Sequence, residues 1–496
     1  MTGAPGNSLC AQLRVVCERV CADLPPGAAR KAISDVRARL EHDVLRVAVG
    51  GRLNAGKSTF VNALLGEKLA ATDATECTTL VTWFSYGPVN LVRLRFRDGS
   101  ELTLPAQPLW QAVATCGRPA AEIAVAEVEC SNLVLAERYT VVDTPGLDAL
   151  SGLDAMSLAA LAQADVLLYL MPHPGENDRE ALKSLHATAT DAGVTAINAI
   201  GVLSRIDQLG QGIGDPWPEA RKQATRYAQS PGFTALLGDV VPVLGLLAET
   251  ATGGSFTEAD MHPLRELAAA DQGVLDDALY SADDFLENPK LPIVTEDRQR
   301  LISLLGMYGI SVSIEQVRGG VRGAARLLAE LRERSGIRIL LELLQRRFVA
   351  MSDPLRARTA IQALDAVSWR ASTAAEATVL AKMRDELDAV RASPKLRQLD
   401  LATALAELSA GKWAASEQAA AQLVALATGT DLAAQLGAQG GITNRQARDQ
   451  LAERITEWRT LENTGPRAAA RHARAVREYL ELLFLGLPSG DGASSG

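Results

Sequence analysis

Apolar positions at Leu13, Val16, Val20 and Leu24 recur about every 3.6 residues and stop at Pro25-Pro26. A second stripe runs through Ile33, Val36, Leu40 and Val44. The spacing predicts two amphipathic helices within residues 1–44, each with one face that must pack on a partner. The pattern changes at residue 45. Leu45-Arg46-Val47-Ala48-Val49 is a short apolar run closed by Gly50-Gly51. Residues 91–96 and 101–104 flank Asp98-Gly99, a hairpin signal. Residues 139–142, 166–170, 196–203 and 240–243 are further buried-strand candidates, and helical stretches separate the later ones. That alternation predicts an α/β unit over 45–250, a mostly parallel sheet with helices on both faces.

From 251 to 487 the chain reads as almost wholly helical. Ile337, Leu340, Leu341, Leu344, Phe348 and Met351 are spaced as one face of a single long helix, and Pro354, Pro394 and Gly465-Pro466 punctuate the region. Long amphipathic helices with short breaks predict an extended all-α bundle. Residues 488–496 are rich in Gly and Ser and are expected to form a disordered tail.

Composition narrows the function classes. Hydrophobic residues make up 47% and charged residues 22%, the balance of a folded chain. No run reaches the ~18 apolar residues of a membrane span. The net charge of -9 and an aromatic content of 4% argue against a nucleic-acid partner, which needs a basic footprint and stacking platforms. Most of the acidic excess lies in the α/β unit. The six cysteines form no CxxC pair, and residues 1–21 carry no secretory signal. A cytoplasmic chain with reduced thiols is the expectation.

The chemistry begins after the first strand. Gly51-Arg52-Leu53-Asn54-Ala55-Gly56-Lys57-Ser58 matches GxxxxGK[ST] and leads into a helix starting at Thr59. Such a loop turns its backbone N–H groups and a helix N-terminus toward phosphates. Lys57 would reach the β- and γ-phosphates and Ser58 would hold Mg2+. Asp143-Thr144-Pro145-Gly146 follows a strand and reads as DxxG, with Asp143 on the metal side and the Gly146 amide at the γ-phosphate. Between them, Thr75-Glu76-Cys77-Thr78-Thr79 offers a switch threonine. Thr78 is favoured as catalytic and metal-side residue, with Thr79 the alternative. Ser204-Arg205-Ile206-Asp207 stands where GTPases carry [NT]KxD. Asp207 keeps the carboxylate that accepts from guanine, and Arg205 can stack beside the base. Leu147 stands where small GTPases place a water-orienting Gln. Asn54 matches the phosphate-loop Asn of potassium-activated GTPases, whose amide oxygen could hold a monovalent cation, K+ or Na+. A plain turn-stabilising Asn fits as well.

Taken together, residues 51–59, the phrase Thr72-Asp73-Ala74-Thr75-Glu76-Cys77-Thr78 followed by Val81-Thr82-Trp83, and residues 143–147 resemble the bacterial dynamin-like GTPases. The switch phrase and Ser204 to Asp207 are most similar to the shorter member of the actinobacterial isoniazid-inducible dynamin-like pair. The resemblance implies a P-loop GTPase head over 45–250. It also implies a helical neck that includes 1–44, and a neck and trunk over 251–487 with a membrane-facing tip. It further implies GTP hydrolysis with Mg2+, assembly as a homo-oligomer or with a paralogous partner, and peripheral attachment to the anionic inner face of the cell membrane. Leu53 replaces a polar residue found in dynamins. Two stretches are candidate lipid surfaces, the weakly charged 418–444 and the Arg-rich 332–358. Arg467, Arg471, Arg474 and Arg477 line one helix face and are expected to form salt bridges. A slowly hydrolysing GTP-binding scaffold and a GTP-dependent RNA or ribosome-assembly switch are the alternative functions.

Overall fold

A computed structural model describes residues 8–488 except 42–43, 71–79, 106, 133–134, 137–138, 145–163, 190–195, 213, 235, 349–350, 410, 430 and 439–440. Two helices open the chain, α1 (Leu9–Asp23) and α2 (Ala28–Glu41). Among the described residues nine strands follow: β1 (Leu45–Gly51), β2 (Thr82–Tyr86), β3 (Leu91–Phe96), β4 (Glu101–Pro105), β5 (Ile123–Cys130), β6 (Tyr139–Asp143), β7 (Val166–Met171), β8 (Ala199–Leu203) and β9 (Asp239–Pro242). They form one sheet in the order β4-β3-β5-β2-β6-β1-β7-β8-β9. The block from β6 to β9 is parallel throughout. The other end contains the antiparallel pairs β2–β6, β3–β4 and β3–β5.

The sheet is covered on both faces, and the strand period shows how. Val47, Val49, Leu168 and Leu170 join one hydrophobic core, while Ala48, Leu167, Tyr169 and Met171 join the other. Successive side chains of a strand point to opposite faces, so β1 and β7 must be apolar at nearly every position. The first core takes in α1, α2 and helices within 337–399. The second takes in helices from 245 to 331, so apolar packing continues across residue 250. A third core lies within 401–480 and is built mostly from helices.

Strands β2 and β5 escape a reading by apolar runs. Beyond β5, Arg93 pairs with Glu127 and Glu129 across β3–β5, and Arg95 pairs with Glu101 and Glu127. That face of the sheet is held by cross-strand ion pairs and carries little apolar signal. The long helix expected over 337–351 is two helices. Ile337–Arg347 ends at Phe348, and Ser352–Ser368 begins a new one. Pro354 is the third residue of the second helix, where its missing N–H has no partner to lose.

Asp353 ties the chain's beginning to this second helix. It accepts from the Ser8 hydroxyl at 2.6 Å and from the Leu9 and Cys10 amides at 3.0 Å each. A carboxylate at a helix N-terminus satisfies orphan donors and meets the favourable end of the dipole.

Candidate nucleotide site

The turn between β1 and helix α3 (Lys57–Leu65) has a backbone that few sequences tolerate. Gly51 sits at φ +147°, and a Cβ there would lie 2.7 Å from the Leu170 carbonyl oxygen of β7. Gly56, at φ +86°, caps α3. Asn54 adopts φ 60°, a left-handed conformation in which Asn is enriched among non-glycine residues. The loop geometry therefore accounts for an Asn at this position without any cation. Ala55 is buried beneath the turn. The Lys57 ammonium donates to the Arg52 carbonyl at 2.9 Å, lying back along the loop it closes. Thr59 follows in the first turn of α3 and faces a cavity described below.

Neighbouring β6 delivers the acidic partner. Ser58 donates through Oγ to Asp143 Oδ2 at 3.1 Å. Asp143 Oδ1 is buried with no hydrogen-bond partner among the described residues. Burial pushes the Asp143 carboxyl up to about 6, against the pull of Lys57, the Ser58 hydroxyl and the Thr144 amide. Thr144 anchors the strand end by donating from Oγ1 to the Val49 carbonyl at 2.8 Å. An orphaned carboxylate oxygen beside a serine hydroxyl is a hard-oxygen donor set, and it fits Mg2+. Ser58 and Asp143 would hold that ion, which supplies charge neutralisation between the β- and γ-phosphates. Thr78 and Gly146, with Thr75, Thr79 and Leu147, lie outside the described residues.

The base-reading segment meets the phosphate loop from the far end of β8. Ser204 is buried and donates to the Ala55 carbonyl at 3.0 Å. Arg205 takes φ 51°, and Asp207 stands at the start of the 3-10 turn Ile206–Gly212. Burial raises the Asp207 carboxyl above its ordinary value, more than its backbone hydrogen bond and Arg205 lower it. Gly56, Thr59, Ser204, Arg205 and Asp207 line one cavity of about 260 Å³. Its remaining wall includes Val243 and Leu244 from the loop after β9, Gly245 at the start of the next helix, and Leu305 and Tyr308 from a later helix. The β9 loop carried a weak sequence signal, since it follows a predicted strand. The later helix carried none.

Comparison with known proteins agrees with this arrangement. The model of the Dynamin family matches residues 47–204. Isoniazid-induced protein IniC of Mycobacterium tuberculosis (strain ATCC 25618 / H37Rv) is 33% identical over 437 residues, 86% of this chain and 86% of its own. The chain belongs to the dynamin family.

Like other bacterial dynamin-like proteins it is a GTPase, a hydrolase built as an α/β head with a helical remainder. A bacterial dynamin-like protein of Nostoc punctiforme is 25% identical over 218 residues, 42% of this chain and 31% of its own. Members of the dynamin family bind GTP and GDP with Mg2+. Within the family's phosphate loop this chain places Leu53, which is 58% exposed.

Proposed function

We propose that this dynamin-like protein hydrolyses GTP to GDP and phosphate with Mg2+, and that it couples nucleotide-dependent assembly to peripheral binding and remodelling of an anionic membrane. The observation that carries the first half is the Ser58–Asp143 contact at 3.1 Å with its orphaned carboxylate oxygen. It lies beside a loop whose other side opens to Asp207. In this reading Lys57 neutralises phosphate charge, Ser58 and Asp143 hold Mg2+, and Thr78 closes over the metal and γ-phosphate. The Gly146 amide meets that phosphate. Asp207 accepts from guanine, with Ser204 and Arg205 shaping the segment that presents it. A K+ or Na+ ion beside Asn54 belongs to the same proposal.

Neither Leu53 nor Leu147 can polarise a water, so the head is slow alone. Assembly, with a second copy or a paralogous partner, orders the switch around Thr78. The exposed Leu53 also favours the second reading, a scaffold that binds GTP and hardly turns it over.

Attachment to the inner face of the cell membrane is peripheral. Among the described residues no helix is long and apolar enough to cross a membrane. The two stretches expected to meet lipid are largely committed elsewhere. Leu423, Leu426, Leu436 and Ile442 face the third core. Arg338 is paired with Glu333 and Glu342, and Arg356 is buried against the Leu40 carbonyl. A better lipid surface is the turn at Trp369, which is 75% exposed with the Arg384 guanidinium 4.3 Å from its ring centroid. Aromatic and basic residues together suit an anionic interface.

The deciding experiment measures phosphate release per molecule across a wide concentration range, with and without anionic vesicles. Rates that climb with concentration and with vesicles support the membrane GTPase. A slow, flat rate with tight GTP binding supports the scaffold.

A further inference from the structure

One wall of the nucleotide cavity comes from a helix some hundred residues beyond the base-reading segment. Thr295–Arg318 is kinked at Gly306, which takes the non-helical φ 62° and ψ 174°. A side chain at that φ is strained, so glycine permits the break. Leu305 and Tyr308 flank the kink, and both line the cavity that holds Gly56, Thr59 and Asp207. A second glycine brings the helix close. A Cβ on Gly309 would lie 2.8 Å from Leu247 Cδ1, so the helix Gly245–Thr252 seats directly on the kinked one. Burial, and then Asp215, raise the Tyr308 phenol above its ordinary value, against the neighbouring Trp217 and Arg334 side chains. The kinked helix and the helix seated on it lie outside the family-matched segment 47–204.

We propose that Tyr308 is a nucleoside-contacting residue of the GTP site, its ring packing on the base and ribose, and that the Gly306 kink is what delivers it. The proposal rests on the nucleotide reading above. The chain supplies the reason for the position. The phosphates belong to residues 51–59 and the Mg2+ donors to Ser58 and Asp143, so the far side of the cavity is left for the nucleoside. Asp207 can address one edge of guanine but offers no surface to its ring. An aromatic ring does, and base–aromatic packing changes affinity by roughly tenfold per base. Because the contact is made equally before and during phosphoryl transfer, it acts on binding and not on the chemical step.

The test uses the full chain as wild type, Tyr308→Phe, Tyr308→Leu and Tyr308→Ala, each checked for folding by circular dichroism. GDP affinity is measured by calorimetry with Mg2+, and GTP turnover by steady-state kinetics at one fixed protein concentration. The expected result is about tenfold weaker GDP binding for Tyr308→Ala and Tyr308→Leu. KM should rise by a similar factor, with kcat within about twofold of wild type. Tyr308→Phe keeps the ring and should stay within about threefold in affinity. Tyr308→Leu retains apolar bulk, so it reports even where the alanine variant does not fold. Unchanged GDP affinity in a folded Tyr308→Leu protein overturns the proposal. So does a fall in kcat with KM unmoved, which marks a structural role. Absence of GDP binding by folded wild-type protein removes the nucleotide reading itself and the Tyr308 assignment with it, a result separable from the others because it appears without any substitution.

Discussion

Asp143 carries an unusual burden for one side chain. Its carboxyl is pushed up to about 6 by burial, so in metal-free protein the neutral form is favoured at mildly acid pH. The folded value lies above the ordinary 3.8. Stability from this group is therefore greatest at low pH and is lost as pH rises through about 6. Mg2+ needs the carboxylate, so binding below that value must release a proton. Affinity for GTP with Mg2+ is expected to fall as pH drops from 7 to 5, and calorimetry in buffers of different ionisation heat will show the proton. Asp143→Asn should raise the melting temperature of metal-free protein at pH 8 while abolishing Mg2+-dependent nucleotide binding. A flat pH profile with no proton release removes Asp143 from the metal site. Lys57→Ala tests the other charge. It should eliminate nucleotide turnover and leave the far-UV spectrum intact. Wild-type turnover in that variant would end the phosphate-loop assignment. Gly51 is set by its φ of +147° and by space. Gly51→Ala puts a methyl against a β7 carbonyl and should destabilise the head by roughly 1–3 kcal/mol, read as a lower denaturation midpoint.

Helices in the C-terminal half show how much of an element's role depends on its partners. Arg471, Arg474 and Arg477 do form salt bridges, to Glu407, Glu478, Glu462 and Glu481. The helical spacing made one charged face legible, whereas the carboxylates it meets come from three different stretches of chain. Glu407 is the centre of one such node. His472 is buried and its Nε2 lies 2.7 Å from the Glu407 carboxylate, with the Trp413 ring stacked on the imidazole at 5.1 Å. That hydrogen bond, helped by Lys412 and Arg471, lowers the Glu407 carboxyl to about 2. A depressed carboxylate stabilises the fold above its ordinary 4.5, and the contribution is lost as pH falls toward 2. Glu407→Gln should cost about 1–2 kcal/mol at neutral pH and flatten the acid limb of unfolding for this bundle. An unaltered acid limb would show that the node is not coupled to folding. The break at Phe348 belongs to the same scale. Apolar spacing continued through Met351, but the chain was free to begin a new helix because Pro354 suits a first turn.

For the whole molecule, the course of β1 separates two ends. The helix α2 enters β1 at Leu45, and the phosphate loop leaves it at Gly51. The C-terminal end of α2 therefore lies at the edge of the sheet opposite the phosphate loop. A Cβ on Gly27, in the turn between α1 and α2, would lie 3.9 Å from Glu376 Oε1, close in sequence to Trp369. Arg30 and Lys31 are exposed just after that turn, and Arg370 is exposed beside the exposed Trp369. Flotation with anionic vesicles should weaken as salt rises, since screening acts over ~8 Å at physiological ionic strength. Trp369→Ala combined with Arg370→Glu should weaken it further by about 2 kcal/mol in binding free energy. Unchanged flotation in the folded double variant would place the lipid contact elsewhere on the molecule. The head is expected to turn GTP over slowly when dilute and faster on vesicles, because the apolar Leu53 supplies no water-orienting group.

What the sequence determined by itself was whatever a continuous stretch of backbone must do. A loop that wraps phosphates with its own N–H groups has to be contiguous, so Gly51 to Thr59 could be read directly. Strands buried on both faces, such as β7, had to be apolar throughout, and α1 and α2 had to show helical stripes. Tertiary structure decided the rest. Ser58 and Asp143 are 85 residues apart, and Ser204 and Ala55 are 149 apart. Their adjacency comes from the parallel strand order, which brings distant strand ends to one edge. Tyr308 and the Gly306 kink are further still, and nothing in their local pattern distinguishes them from any packed helix. Likewise, Arg356 and Leu426 carry the chemistry of a lipid surface, yet the fold draws both inward. Local periodicity reports which side of an element is apolar. Only packing decides what that side meets.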